Sequence, residues 1–397
     1  MPDKDKTYPA SPQRFAEASH IFISAAEPSA DAHCAGLITA LQKSSYDIEF
    51  VGVGGPKMAE AGCKLLENTV AKAAMIYKAF SQVGRYYRLI RRITRFLKSN
   101  KVDLVIVCDS PSFNFHVAKA AKKAGIKTLF YVAPQLWAWA GWRIRKLRKY
   151  CDKLCCILPF EQRWFSEKGV DTTFVGNPLL DEWPSHKLPA DLQSYRKNYA
   201  DFDPNNLRLA LMPGSRAAEI DSLWQPMQQI ALRIKEKYPA AIFTTVAVDA
   251  KRKDVLKAAQ IAGFDCKYTI GSVSDTAAAA DFALVSSGSA TLQVAAVGCP
   301  MVIMYQTSKI LWHLAGRWIV KTKYLSLPNI LAGKELVPEF MPYFSSIKPI
   351  ARSIEQLLED KDKLAQISNE LIKLVEPLAE KKARDEVAKI VVEMVTG

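Results

Sequence analysis

The sequence has no uninterrupted apolar stretch long enough to cross a bilayer, and Met1 to His20, polar and proline-bearing, holds no apolar signal core. The expectation is a cytosolic protein whose membrane contact is peripheral. Histidine is scarce: five are scattered singly, without the spacing of a metal site. His33 and His116 fall near the expected cleft, where a packing or surface role explains them better than chemistry does. The eight cysteines, with Cys155 and Cys156 adjacent, match neither a disulfide framework nor a zinc site, which fits a reducing compartment. Gly52-Val53-Gly54-Gly55 falls short of a dinucleotide fingerprint, because Lys57 stands where its last glycine belongs. Acidic residues are the scarcer charge, 40 against 54 Lys and Arg in 397 residues. The formal balance of +14 favours phosphate-bearing substrates, an anionic membrane face or nucleic acid. No aromatic platform or nucleic-acid module accompanies that charge, so nucleic acid is set aside.

Hydrophobic residues make up 49%, enough for real cores, and the length suits two domains. Short apolar runs alternate with longer amphipathic segments: Ile21–Ala25, Glu49–Val53, Leu104–Cys108, Thr128–Val132 and Lys153–Leu158 read as buried parallel strands. The rhythm restarts at Leu207–Met212, Ala241–Val248, Phe282–Val285 and Met301–Tyr305. The polar stretch between, dotted with Pro184, Pro189 and Pro204, reads as a linker. The tail from Ile350 to Val395 is helical in pattern. These features predict two doubly wound α/β domains, 20–182 and 207–345, joined by a linker at 183–206 and followed by C-terminal helices at 346–397. Open parallel sheets bind ligands at the carboxyl ends of their strands, so a ligand cleft is expected between the halves.

Several strand ends carry chemistry. Ser287-Gly288-Ser289-Ala290-Thr291 joins a strand to a helix through small residues, which leaves backbone amides open to an anion such as a diphosphate; a ligand-free tight turn is the competing reading. Pro213-Gly214-Ser215-Arg216 sets a permanent cation at another strand end, where a structural ion pair competes with a ligand contact. Asp109, following Leu104–Cys108, is placed either to take a proton from an acceptor hydroxyl or to cap the next helix. On a helical projection Phe80, Val83, Tyr86, Tyr87, Leu89, Ile90, Ile93, Phe96 and Leu97 share one side, while Arg85, Arg88, Arg91, Arg92, Arg95 and Lys98 share the other. Such a helix suits an anionic lipid surface or an acyl chain, and equally an ordinary core-facing helix.

The order of Glu27-Pro28-Ser29-Ala30-Asp31, Val51–Met58, Asp109–Asn114, Tyr131–Trp139 (YVAPQLWAW), Leu158–Glu161, Phe174–Asp181 (FVGNPLLD), Pro213–Arg216 with Glu219-Ile220, Ser287–Leu292 and Ser326–Val337 resembles the lipid-A-disaccharide synthases, glycosyltransferase family 19. The resemblance runs from about Ile21 to the C-terminal helices. It implies a GT-B fold, two Rossmann-like parallel-sheet domains facing a central cleft. It also implies inverting transfer of 2,3-diacylglucosamine from its UDP conjugate to 2,3-diacylglucosamine 1-phosphate, giving a β-1,6 disaccharide and UDP. No cofactor or catalytic metal is implied. The partners implied are the two lipid substrates, the cytoplasmic face of the inner membrane, and a second copy of the chain through the C-terminal region.

By the same resemblance Asp109 is the general base. Ser215, Arg216, Ser287, Gly288, Ala290, Thr291, Gln293 and Asn329 meet the nucleotide-sugar. Glu27, Ser29, Asp31 and Gln135 line the acceptor cleft, and Phe80, Val83, Tyr87, Arg88, Ile90 and Arg91 lie where acyl chains and membrane are met. Four positions depart from the family pattern: Ala26 and Ala30 replace glycines, Asn177 a histidine, and Gln293 a glutamate. Another GT-B transferase of UDP-hexosamines, or a lipid- or nucleotide-binding relative without turnover, remains an alternative.

Overall fold

The computed structural model describes residues 18–44, 46–69, 83–181, 197–308, 312–313 and 322–397. The first sheet contains β1 (Ser19–Ala25), β2 (Ile48–Gly54), β3 (Lys64–Asn68), β4 (Leu104–Cys108), β5 (Lys127–Tyr131), β6 (Lys153–Cys156) and β7 (Thr172–Phe174), in the order β3-β2-β1-β4-β5-β6-β7. The second contains β8 (Arg208–Met212), β9 (Ile242–Ala247), β10 (Lys267–Ile270), β11 (Phe282–Ser286), β12 (Met301–Met304) and β13 (Glu339–Phe340), in the order β10-β9-β8-β11-β12-β13. Neighbours pair in parallel from β3 through β6 and across the second sheet, as in β1 with β4 (Ala25 opposite Cys108) and β8 with β11 (Val285 opposite Met212). Both sheets reverse their winding at that central pair, so the loops after β1 and β4, and after β8 and β11, open at a topological switch point.

Two compact units are distinguished. One takes the described residues up to Pro134 with Lys146–Cys155 and Arg384–Gly397; the other takes Gln135–Arg145 and Cys156–Ala383. In the first, β4 is wholly buried and Gly52 lies so close to the Ile23 carbonyl that a β-carbon would collide with it. In the second, Trp224 sits in the core and its Nε1 donates to the Leu256 carbonyl at 2.8 Å. The helices Lys348–Glu359, Lys361–Ala379 and Ala383–Thr396 follow.

The strands read from the sequence are the central ones. β3, β7, β10 and β13 escaped that reading because each is a sheet edge of two to five residues, only partly buried, without a continuous apolar run. Part of the expected linker at 183–206 lies outside the described residues. Where description resumes, Lys197 donates through Nζ to the carbonyls of Ala278 and Ala280, and the Tyr199 hydroxyl donates to that of Asp281. Those residues are packed onto the second unit.

Candidate active site

In the first unit the chain leaves β4 through two consecutive left-handed residues, Asp109 (φ 49°) and Ser110 (φ 42°). Neither is glycine, so each costs on the order of 1–3 kcal/mol and persists because its surroundings over-determine it. The Asp109 amide donates to the Tyr131 carbonyl at 3.0 Å, which ties the turn to the end of β5. Asn114 donates through Nδ2 to the carbonyls of Cys108 (2.8 Å) and Asp109 (2.7 Å), while its Oδ1 accepts from Ser24 Oγ at 2.7 Å. Ser110 Oγ donates to Glu27 Oε1 at 3.3 Å, joining the loops after β1 and β4. The N-cap of the helix Pro111–Lys123 is Ser110, so the capping position does not fall to Asp109, which is half-buried.

Ser29 is exposed at the start of the helix Pro28–Gln42, whereas Asp31 turns inward. Its buried carboxylate accepts from the amides of Gly55 (2.8 Å), Lys57 (3.1 Å) and Met58 (3.1 Å), capping the helix Pro56–Glu60. Both oxygens are thereby occupied. Burial first, then the nearby Lys57, pushes His33 down to about 4, so its imidazole is neutral against the Tyr131 ring. His116 is also lowered, by burial and then by Lys146 and Lys119.

The basic helix spans Val83–Ser99; Phe80 lies outside the described residues, and Val83 is described only as its first backbone position. Ile93 and Leu97 enter the core, Phe96 stacks near Phe22, and Ile90 is half-buried. Arg85 and Arg92 both pair with Glu67 at 3.4 and 3.5 Å. Tyr87, expected on the apolar side, is 60% exposed with the Arg91 guanidinium over its ring, and Arg88 is exposed. Of the helix, the C-terminal apolar positions pack inward as in a core-facing helix, while an aromatic and basic patch faces solvent.

In the second unit Gly214 has φ 101°, and a β-carbon there would run into Glu219. Glu219 Oε2 accepts from the amides of Ser215 (3.0 Å) and Arg216 (3.1 Å), and Oε1 holds Arg216 Nη1 at 3.3 Å. Arg216 thus makes the structural ion pair, yet 59% of its side chain reaches solvent. After β11, the Ser287 amide donates to the Met304 carbonyl, and buried Thr291 returns both its amide and its hydroxyl to the Gly288 carbonyl. Gly288 and Ser289 are exposed, with open space over Gly288, and their amides have no acceptor among the described residues. The buried Ser286 hydroxyl beneath them is likewise unpartnered. Ala290 opens the helix Ala290–Ala296, and Gln293 is half-buried.

Asn329 is fully buried. Its Oδ1 accepts from the amides of Leu336 and Val337, and its Nδ2 donates to the Val337 carbonyl and to Glu339 Oε2. Glu339 also accepts from the Leu325 and Ser326 amides and the Ser326 hydroxyl. This network closes the Ser326–Val337 segment on itself and leaves Asn329 no side-chain atom for a ligand. Asn177 is similarly occupied: its amide reaches the Leu378 carbonyl, Oδ1 takes the Leu179 amide, and Gly176 (φ 90°) lies against the Lys381 carbonyl.

Gln135 is exposed, and its carbonyl accepts from the amides of Ala138 (3.1 Å) and Trp139 (3.2 Å) in a tight loop. Trp137 points inward, its Nε1 donating to Glu161 Oε1 at 2.8 Å. Burial pushes Glu161 up to about 7, against the opposing pull of its hydrogen bonds from Trp137, Leu158 and Ile157.

The structure therefore brings Glu27 to Ser110 beside Asp109 in one unit, and sets Arg216 and Ser287–Ala290 at the ends of neighbouring strands in the other. Sequence reasoning gave no role to four residues that hold these loops, Asn114, Glu161, Glu219 and Glu339, although the first three stand in segments that carry the resemblance. Two had a legible signal, since a glutamate three residues past the N-cap is a capping-box spacing, here Leu158 with Glu161 and Arg216 with Glu219. Among the described residues no group of three or more metal-binding side chains converges, and no helix is long and apolar enough to cross a membrane.

A family model described as Lipid-A-disaccharide synthetase matches residues 21–394. The lipid-A-disaccharide synthase of Geobacter sulfurreducens is 31% identical over 377 residues, 94% of this chain and 97% of that protein. That of Erwinia tasmaniensis is 34% identical over 358 residues, 88% of this chain and 93% of its own. Among solved structures, a UDP-GlcNAc 2-epimerase from Neisseria meningitidis bound to UDP-GlcNAc superposes with a TM-score of 0.59 at 13% identity, covering 96% of this chain and 99% of that one. Acinetobacter baumannii MurG gives 0.56 at 13%, covering 94% and 99%. At that identity the likeness is one of fold: two parallel-sheet α/β domains of the GT-B type.

Proposed function

The chain belongs to the lipid-A-disaccharide synthetase family and is a glycosyltransferase of lipid A biosynthesis, and from that premise we propose which lipid substrates it joins and which of its residues do the work. The donor is UDP-2,3-diacylglucosamine, the acceptor is 2,3-diacylglucosamine 1-phosphate, and the products are the β-1,6 disaccharide and UDP. The domain 20–182 takes the acceptor and the domain 207–345 the nucleotide-sugar. The observation that carries the assignment is Asp109, a carboxylate held on a strained left-handed turn at the end of β4 by Asn114. Strained residues cluster at functional sites, and here the strain falls on a carboxylate, which supports that role.

In the transfer the acceptor hydroxyl attacks the anomeric carbon from the face opposite the leaving UDP. The carbon–oxygen bond to the diphosphate breaks as the new one forms, and Asp109 takes the hydroxyl proton. Negative charge grows on the departing diphosphate. Arg216 and the open amides of Gly288 and Ser289 supply a cation and two donors for it, which is electrostatic stabilisation aimed at the leaving group. Glu27 positions Ser110 and so the turn that carries Asp109; Asp31 and Asn329 hold their segments from inside, since both side chains are occupied. Ser29 and Gln135 are exposed on the loops that meet the acceptor, while Ser215, Ala290, Thr291 and Gln293 shape the nucleotide side.

Membrane contact is assigned to Tyr87, Arg88 and Arg91, whose exposed aromatic and guanidinium groups suit an anionic lipid surface such as the cytoplasmic face of the inner membrane. A homodimer through the C-terminal region completes the reading. Incubation of the purified protein with the two lipid substrates should release UDP and yield a tetraacyl disaccharide. UDP release with a different sugar acceptor points to another UDP-hexosamine transferase, and binding without turnover to a silent relative.

A further inference from the structure

The loop Gln135–Ala140 ends on Ala140 in the left-handed region (φ 54°), and Gly141 beyond it lies against the Leu136 carbonyl. The Gln135 carbonyl closes the loop's near end by accepting from the Ala138 and Trp139 amides, and the left-handed alanine at its far end calls for a further hold. Trp137 supplies the hold. It is buried edge-on against Phe160, with ring centroids 4.9 Å apart, and its single polar atom goes to Glu161 Oε1. The second oxygen of Glu161 accepts from the amides of Ile157 (3.2 Å) and Leu158 (3.1 Å), where the helix Pro159–Ser166 begins. The Glu161 side chain is 1% exposed.

Helix capping alone does not call for this arrangement. A capping-box glutamate can reach back to the N-cap amide from the surface, whereas a carboxylate taken fully out of water is costly unless every oxygen is engaged. What the burial adds is the third bond, which turns a helix cap into a link between that helix and the Trp137 loop. In the same loop Gln135 and Trp139 are exposed.

We infer that Glu161 is a positioning residue for the transfer: acting through the Trp137 indole, it fixes the Gln135–Ala140 loop and so the placement of Gln135 toward substrate. This rests on the assignment of Gln135 to the acceptor made above.

Three variants of the full-length chain test it: Glu161→Ala, Glu161→Gln and Trp137→Phe, the last keeping the ring and losing only the donor. By hydrogen exchange read by mass spectrometry, amides 135–141 should exchange about 10-fold faster in Glu161→Ala and Trp137→Phe, with amides 287–296 unchanged. In the disaccharide assay each of those two should lose about 10- to 100-fold in kcat/KM for the acceptor, while UDP affinity stays within about 2-fold. Glu161→Gln keeps one acceptor oxygen but must turn its amide nitrogen toward the N–H donors on the other side, so it should fall between the parent and Glu161→Ala in both readouts. The double variant Glu161→Ala with Trp137→Phe should be no worse than the poorer single one, because both remove the same link. Losses that multiply, UDP affinity that falls in step with turnover, or unchanged loop exchange in Trp137→Phe would overturn the inference. Faster exchange with unchanged kinetics would overturn it while sparing the assigned reaction; no turnover by the parent protein would fail the reaction itself and the positioning role with it.

Discussion

Asn114 donates through Nδ2 to the Asp109 carbonyl at 2.7 Å and through the same nitrogen to the Cys108 carbonyl at 2.8 Å, so one side-chain amide grips the peptides on both sides of Asp109. Asp109→Asn should keep that grip and lose the base, lowering turnover by about 10²- to 10⁴-fold. UDP affinity should be unchanged by calorimetry. Turnover near that of the parent removes Asp109 from the base role.

Asn114→Ala separates support from chemistry. It takes the Asn114 partner from the buried Cys108 carbonyl, the half-buried Asp109 carbonyl and the Ser24 hydroxyl, so stability should fall by about 1–3 kcal/mol in denaturant unfolding. Turnover should fall as well, with the pH dependence of the remaining activity unaltered. Full stability would mean that water or the relaxed backbone replaces Asn114.

Arg216 pairs with Glu219 and has 59% of its side chain in solvent. Arg216→Ala is expected to weaken UDP binding about 10-fold or more, the scale of one charge-assisted hydrogen bond lost. Unchanged UDP affinity would return Arg216 to the role of a surface ion pair.

On the basic helix, Arg85 and Arg92 are committed to Glu67, whereas Arg88 and Arg91 are exposed on the patch that carries Tyr87. Exchanging Arg88 and Arg91 for glutamine should reduce sedimentation with phosphatidylglycerol-containing vesicles by about 10-fold or more, at roughly 1 kcal/mol per cation near the surface. The melting temperature should not move. Vesicle binding equal to the parent's would leave the helix a purely structural element.

Glu161 and His33 pull stability in opposite directions with pH. The carboxyl of Glu161 is raised to about 7, so the folded state binds its proton more tightly than the unfolded chain does. Its contribution is complete below about 4.5 and is lost as pH rises through 7. His33, lowered to about 4, contributes fully above about 6.5 and loses that as pH falls toward 4. Glu161→Gln should therefore flatten the decline in unfolding free energy between pH 5 and pH 8. An identical slope in parent and variant would show that Glu161 is ionised across that range.

The central strands were legible because a strand buried on both faces must be apolar throughout, as β4 and β11 are. The edge strands were not: β13 has two residues and takes its place from the Ser326–Glu339 network, a contact between distant positions that local pattern does not encode. The strand-end positions of Asp109 and Arg216 were readable from chain order alone. The direction in which a polar side chain points was not. Asp31 and Asn329 sit in segments that carry the family resemblance as surely as Asp109 does, yet both turn inward to saturate backbone amides. Asn177 belongs with them: its partners are the Leu179 amide and the Ile157 carbonyl, so an amide fills a position where the family has an imidazole.

The paired left-handed residues after β4 set a trap for anyone seeking a hardier enzyme. Ser110→Gly would relax one of them and should raise heat resistance by roughly 1 kcal/mol, the cost of forcing a β-carbon into that conformation. It would also delete the hydroxyl that meets Glu27. A library screened only for survival after heating would retain this substitution and enrich for molecules whose carboxylate has drifted from its mark.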